Sequence, residues 1–288
     1  MKPIIITDSC SDLPLEYIEN NNIFTLGFSV FFKGKEFQDD LGKTLKYKDF
    51  YEGVRSGEMP STSQINVQTY YETFKNYVLK DNSIIYLGFS SALSGSLNSA
   101  GLARTSLLEE FPDADITIID TKAASLGLGL IVYYSNEMLK KGASKQEIVE
   151  WVENNKLKVN HWFTVDDLNH LKRGGRVSST AAAIGTLLSI KPILHVDDEG
   201  RLIPVAKAKG RKKSLKALVD ILKERVVNPE DQMIFISHGD SVEDALLVKE
   251  MILKETSAKN FIVNPIGPVI GSHAGPGTIA LFFLGESR

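Results

Sequence analysis

Residues 89–100 read FSSALSGSLNSA, with serines at 90, 91, 94 and 96 crowded around Gly95 where a strand-like run, IIYLG, gives way to a small-residue helix. Such a junction can supply a nucleophile, cradle a phosphate or hold a carboxylate. The nucleophile reading rests on GFSSA (88–92), one residue short of the G-x-S-x-G turn that lifts a serine out of an α/β sheet. Ser90 would then draw on Asp120 and His273, in the chain order Ser, Asp, His that such hydrolases use. Ala92 stands where the elbow needs its second glycine, so this serine hydrolase is the alternative and not the leading reading.

Nucleotide phosphates are poorly served. No G-x-x-x-x-G-K-[ST] occurs, and GPVIGSHAGPG (267–277) lacks the lysine that reaches terminal phosphates. SLGLGLI (125–131), the nearest approach to a dinucleotide loop, lies inside a helical pattern. An autonomous kinase or dehydrogenase is therefore not expected. Nor is a metal or cofactor: the five histidines include no pair at helical spacing, and Cys10 is the only cysteine. Cys10 reads most simply as a small residue in a polar turn, although a thiol near a helix start can be reactive.

Anion binding at a helix start needs only backbone N–H groups, hydroxyl donors and a glycine. SALSGSLNSA offers all three, STS (61–63) is a second hydroxyl cluster, and GSHAGPG (271–277) sets His273 among glycines. These three polar loops would converge if their strands end on one edge of a layered sheet. None of them is basic, so a single negative charge held by neutral donors, a carboxylate, fits better than a phosphate.

The elements that must position these loops come in two grammars. IIITD (4–8), FTLGFSVFF, SIIYLGF and ADITIID read as strands, alternating with helical patterns in LPLEYIENN, TLKYKDFYEGVRSG and VQTYYETFKNYVL. Ser11 or Asp12 would cap the first helix with Pro14 in its first turn, and MPSTSQI (59–65) would be a loop capping the third. The alternation predicts a layered α/β domain with a mainly parallel sheet over 1–158. TKAASLGLGLIVYYSNEMLKKG reads as one long helix, and SKQEIVEWVENNKLK follows with a Ser144–Glu147 capping box. From 159 onward HWFTVDD, PILHVDDEGRLIPVAKAKG, QMIFISHG, NFIVNPIG and TIALFFLG are strands, with a hairpin turn at DDEGR. An α+β domain with a mixed sheet over 159–288 follows.

Composition excludes other classes. The chain of 288 residues is 43% hydrophobic and 24% charged, a profile of folded globular proteins and not of disordered ones. Its apolar runs fall short of the roughly 20 residues of a membrane span. MKPIIITDSC lacks the core of a signal peptide, and a lone cysteine suits a reducing compartment, so the expected location is cytoplasmic. The net charge of −3 is uneven: residues 201–225 carry nine basic and two acidic side chains, a solvated face or a docking surface. With the chain acidic overall and no recognition motif, nucleic acid is not an expected partner.

Taken together, TDSCSDLP (7–14), STSQ (61–64), SSALSGSLNSA (90–100), IIDTKAASLGLGL (118–130), LNHLKRGGRVSS (168–179), IKPIL (190–194) and IGPVIGSHAGPG (266–277) resemble the DegV family of fatty-acid-binding proteins, in order and across nearly the whole chain. The resemblance implies a two-domain α/β protein with a long-chain fatty acid buried at the domain interface. It implies that the carboxyl group is held by Thr62, Ser94, the Gly95 N–H and His273. It also implies a non-enzymatic role, in which the protein presents its acid to a separate ATP-dependent fatty acid kinase that forms acyl phosphate for phospholipid synthesis. Departures are small: Ile65 stands where the family often has Pro, Leu97 where an aromatic is common, and Cys10 where Thr or Ser is usual. FSVFF (28–32), LGLGLIVYY and AAAIGTLLSI are candidate linings for the tail. Arg173 and Arg201, with Lys207, Lys209, Arg211, Lys212 and Lys213, are candidates for docking the kinase by charge complementarity.

Overall fold

The computed structural model describes residues 1–178 and 190–288. Most of AAAIGTLLSI and the last residue of the 168–179 motif lie outside them. The first half runs β1 (Lys2–Asp8), α1 (Leu15–Asn20), β2 (Phe24–Leu26), β3 (Ser29–Phe32), β4 (Lys35–Gln38), α2 (Tyr47–Arg55), β5 (Ser61–Ser63), α3 (Val67–Val78), β6 (Asn82–Gly88), α4 (Ser96–Glu110), β7 (Ile116–Asp120), α5 (Leu126–Lys140) and α6 (Lys145–Asn155). Strands β2-β1-β6-β7 form a wholly parallel sheet, and β4-β3-β5 a small antiparallel one. The second half contains β8 (Val159–Thr164), α7 (Asn169–Arg173), β9 (Ile190–Val196), β10 (Leu202–Lys209), α8 (Arg211–Arg225), β11 (Met233–His238), α9 (Val242–Glu255), β12 (Asn260–Pro265), α10 (Pro268–Ala274) and β13 (Ile279–Leu284). Its six strands pair in the order β10-β9-β8-β13-β11-β12, mixed in direction. The fold is thus a mixed α/β one with a parallel and a mixed sheet.

Local chemistry explains these elements. β6 is buried along nearly all of its length, as a central parallel strand covered on both faces must be. The Ser144–Glu147 capping box opens α6 as expected. Gly200, with φ +81°, turns the β9–β10 hairpin at DDEGR. The β-rich segment FTLGFSVFF splits at Gly27, where a Cβ would sit 2.7 Å from the Asp39 carbonyl oxygen, so β2 joins the parallel sheet and β3 the small one. Three expectations need correction. STS is itself a strand, with Thr62 opposite Val30, and α3 is capped instead by Asn66, whose side chain accepts from Thr69 N–H at 2.8 Å. The long helix begins only at Leu126, leaving 121–125 as a loop. The first helix starts at Leu15, after a short 3-10 turn at Ser9–Ser11 that Asp8 caps, with Pro14 ahead of it.

One apolar core joins both halves across one face of the six-stranded sheet, and a second lies under α8 and α9 on the opposite face. The parallel and small sheets use no residue beyond 120, and the six-stranded sheet none before 159. On that ground we propose the domain boundary at 158/159. Among the described residues, no helix is long and apolar enough to cross a membrane.

The seam between the halves is polar as well as apolar. Asp12, fully buried, accepts from the Gly267 N–H at 2.8 Å and from the Ser125 hydroxyl, and Ser125 lies 3.0 Å from Ser237. Asn264 donates to the Asp12 carbonyl at 2.8 Å. Burial pushes the Asp12 carboxyl up to about 8 against those two hydrogen bonds, and the neighbouring Asp39 and Asp8 push the same way. Asp39 rises to about 7 and Asp8 to about 6, each mainly through burial. A carboxyl whose folded pKa exceeds its unfolded value of about 3.9 contributes stability that is complete below that value and is lost as pH rises through the folded pKa. Urea midpoints should therefore fall from roughly pH 4 to roughly pH 8, and Asp12→Asn, which cannot ionise, should flatten that fall; an equally steep fall in the variant would contradict the assignment.

Candidate functional site

Three strands of the parallel sheet, β1, β6 and β7, end at Asp8, Gly88 and Asp120 on one edge, where open α/β sheets place their ligand sites. The loops that follow each strand reach the second half. Asp12 holds Gly267, the Ser90 hydroxyl donates to the Gly200 carbonyl at 2.9 Å, and Ser125 meets Ser237. Between those loops and the six-stranded sheet lies a cavity of about 260 Å³, close to the lower end of the roughly 300–1,000 Å³ common for small-molecule sites. Phe28, Phe89 and Leu93 from the first half face Phe163, Val269 and Phe282 from the second along its apolar wall.

Thr62, Ser94, Gly95 and His273 all line this cavity. β5 presents Thr62, whose Oγ1 lies 2.9 Å from His273 Nε2. Ser94 precedes α4 and accepts from the Ser96 N–H at 3.2 Å, which leaves its own proton to donate. A Cβ on Gly95 would come within 2.4 Å of Gln64 Oε1, so a glycine is what lets β5 and the start of α4 approach. Gly95, Ser63 and Gln64 are exposed, so the polar end of the cavity opens toward solvent. His273 is not in a loop as expected, but in the last turn of α10, with Gly271 and Gly275 allowing Tyr51 and His170 to pack close.

None of the three polar loops is basic, yet the cavity they border includes a cation. Arg176 lines the cavity, donating from Nε to the Leu93 carbonyl at 3.2 Å and from Nη1 to the Gly174 carbonyl. Burial first, then the charges of Arg176 and Arg173, press His273 down to about 4, so its imidazole is neutral near pH 7. The available signal was KRGGR: two glycines after a short helix turn the chain back and bring its second arginine over the polar loops. Gly174 is required for space, since a Cβ there would sit 2.2 Å from His273 Nδ1.

The hydrolase trio is not assembled. Ser90 is buried and spends its proton on Gly200, Asp120 binds Ser91 and the Lys122 N–H, and His273 pairs with Thr62. Cys10 is buried, and burial together with Asp8, Asp12 and Asp39 raises its thiol well above the usual range, the opposite of activation. Among the described residues of the proposed linings, only Phe28 of FSVFF reaches the cavity; LGLGLIVYY packs into the core, and the wall there is Ala124 and Ser125. Arg173 is exposed, with Nη2 2.9 Å from His170 Nδ1. The basic run is partly neutralised: Arg201 pairs with Asp197, Arg211 with Asp244, and Lys223 with Glu255. Lys207, Lys209, Lys212 and Lys213 are exposed.

The sequence profile described as "Uncharacterised protein, DegV family" matches residues 2–286. The chain belongs to the DegV family. A DegV domain-containing protein of Clostridium perfringens is 54% identical over 287 residues, covering 100% of this chain and 99% of its own length. Among solved structures, a DegV family protein from Thermus thermophilus described for its fatty acid binding superposes with a TM-score of 0.89 at 28% identity, covering 99% of this chain and 100% of that one. A Thermotoga maritima protein, described as revealing fatty acid binding function, gives 0.84 at 30% identity and 99% coverage of both chains. In this DegV chain, no group of acidic, histidine or cysteine side chains able to hold a metal occurs among the described residues. Arg176→Gln should raise the His273 midpoint from about 4 but leave it below the ordinary 6.5, because burial is the larger cause. Imidazole NMR titration checks this, and an unmoved midpoint would remove Arg176 from the site's electrostatics.

Proposed function

We propose that this DegV protein is a cytoplasmic carrier of long-chain fatty acids that presents its cargo to a separate ATP-dependent fatty acid kinase. The observation that carries the reading is one cavity with an apolar body and a polar, solvent-facing end where Thr62, Ser94, Gly95 and His273 meet. Bound fatty acids in the structural relatives support it, including vaccenic acid in a Ruminococcus gnavus family member.

The chemistry is consistent at each end. A buried carboxylate is costly unless hydrogen-bonded, and each bond to a charged acceptor is worth roughly 1.5–3 kcal/mol. The hydroxyls of Thr62 and Ser94 and the Gly95 N–H supply such bonds. Neutral His273 can orient Thr62 without adding a fixed charge, and Arg176 adds attraction for an anion. The tail gains about 0.8 kcal/mol per buried CH₂, on the order of 10 kcal/mol for a long chain before association costs. Because the head lies at the open end, a kinase can reach it while the tail stays enclosed. No nucleotide loop is needed on the carrier. Arg173 and Arg201 are the proposed docking contacts.

Solvent extraction and mass spectrometry of the purified protein should release palmitate- or oleate-like acids. Thr62→Ala and Ser94→Ala should each weaken binding about tenfold or more; unchanged affinity in both variants would refute the head-group assignment. Reversing Arg173 and Arg201 to Glu should depress kinase-dependent acyl-phosphate formation while sparing acid affinity. Loss of acid binding in that double variant would defeat the docking reading.

A further inference from the structure

A chain of buried hydroxyls runs behind the head-group loop. Tyr86 donates to Asp8 Oδ2 at 3.0 Å, the Tyr86 and Tyr70 hydroxyls lie 2.6 Å apart, and Tyr70 lies 2.8 Å from Ser96 Oγ. Asp8 Oδ2 also accepts from the Phe89 N–H at 2.9 Å, while Asp8 Oδ1 accepts from the Cys10 N–H. All four side chains are buried, at 1% exposure or less. Phe89 begins the loop and Ser96 ends it, so one carboxylate grips the loop at both ends, directly at one and through two phenols at the other. Ser94 sits between, and its Oγ accepts from the N–H of Ser96.

The direction of the chain follows from its terminus. An ionised carboxylate can only accept, so Tyr86 donates to Asp8, Tyr70 to Tyr86, and Ser96 to Tyr70. Burial holds both phenols far above their usual range, so each keeps the proton it donates. With the Ser96 side chain committed to Tyr70, its backbone N–H is what fixes Ser94 Oγ, and Ser94 keeps its own proton to donate. Nothing in packing alone requires this: phenylalanines would fill the same space beside Phe74, against which both rings pack.

We infer that Asp8, Tyr86, Tyr70 and Ser96 act as positioning residues for the Ser94 hydroxyl, setting the preference of the cavity for a free carboxylate over an uncharged acyl head. The inference rests on the fatty-acid reading and deepens it. Affinities for palmitate and for methyl palmitate should be measured in the wild type, Tyr70→Phe, Ser96→Ala, Ser94→Ala and the Tyr70→Phe/Ser94→Ala double variant, each with its urea midpoint. Tyr70→Phe and Ser96→Ala should each weaken palmitate about three- to tenfold, within the worth of one misaligned hydrogen bond to a charged group, and leave methyl palmitate nearly unchanged. Adding Tyr70→Phe to Ser94→Ala should cost nothing more, because the lost interaction is already gone.

A merely structural role predicts otherwise: both ligands weakened in parallel, and the Tyr70→Phe effect undiminished in the Ser94→Ala background. Either result overturns the proposal, even if one of the two single variants is too unstable to assay. If the wild type itself binds palmitate no better than Ser94→Ala, the head-group assignment fails first, and that outcome is separate from a failure of the relay.

Discussion

A parallel sheet delivers the loops after its strands to one edge, and in this protein that edge is roofed by another sheet. Polar groups trapped there lose water and must find partners across the seam, since an unpaired buried donor or acceptor costs as much as several favourable contacts return. The partners are specific: Asp12 with Gly267, Ser90 with Gly200, Ser125 with Ser237, Tyr51 with the Ile266 carbonyl. Arg288 adds a further clamp, donating to the carbonyls of Lys122, Val159 and Asp197. Each bond fixes a loop, and the fixed loops leave between them a space walled by side chains of both halves.

Electrostatics at the two sides of the seam differ in kind. On the side of Asp8, Asp12 and Asp39, burial dominates and lifts every carboxyl. On the side of His273, burial and arginine charges act together to keep the imidazole unprotonated. An anion entering the cavity thus meets hydroxyls, a backbone N–H, a neutral ring and one guanidinium, with the acidic groups already engaged elsewhere. Arg176 donates to backbone carbonyls on both sides, Leu93 and Gly174, which holds it by the cavity.

Much of this was legible in the amino-acid order. Alternating strand and helix patterns gave the parallel and the mixed sheet, though not the small antiparallel one, their correct character, because burial on two faces leaves a continuous apolar run while a hairpin leaves a turn such as DDEGR. Three polar loops could be picked out because serine, threonine and glycine have little other reason to cluster beside apolar strands. What could not be read was anything decided by distant partners. STS became a strand because β3 offered it an edge, and Gly27 divides FTLGFSVFF because the Asp39 carbonyl passes close by. Arg176 was given no role from the sequence because its partners are backbone carbonyls, one of them 83 residues away.

The seam also makes occupancy of the cavity a matter of stability. Its wall is shared between Phe28, Phe89 and Leu93 on one side and Phe163, Val269 and Phe282 on the other, so a bound apolar molecule adds contacts that tie the two halves together. Any ligand that binds only the folded state stabilises it by an amount that grows with the logarithm of its concentration over its dissociation constant. For a cargo held mainly by its buried tail, that contribution falls on the same interface that Asp12 and Arg288 hold with polar bonds. On the proposed carrier reading, loading and the stability of this interface are thermodynamically linked. On the same proposed reading, a partner that removes the cargo must overcome the contacts of the tail, whereas one that modifies a head at the polar end need not disturb the seam at all.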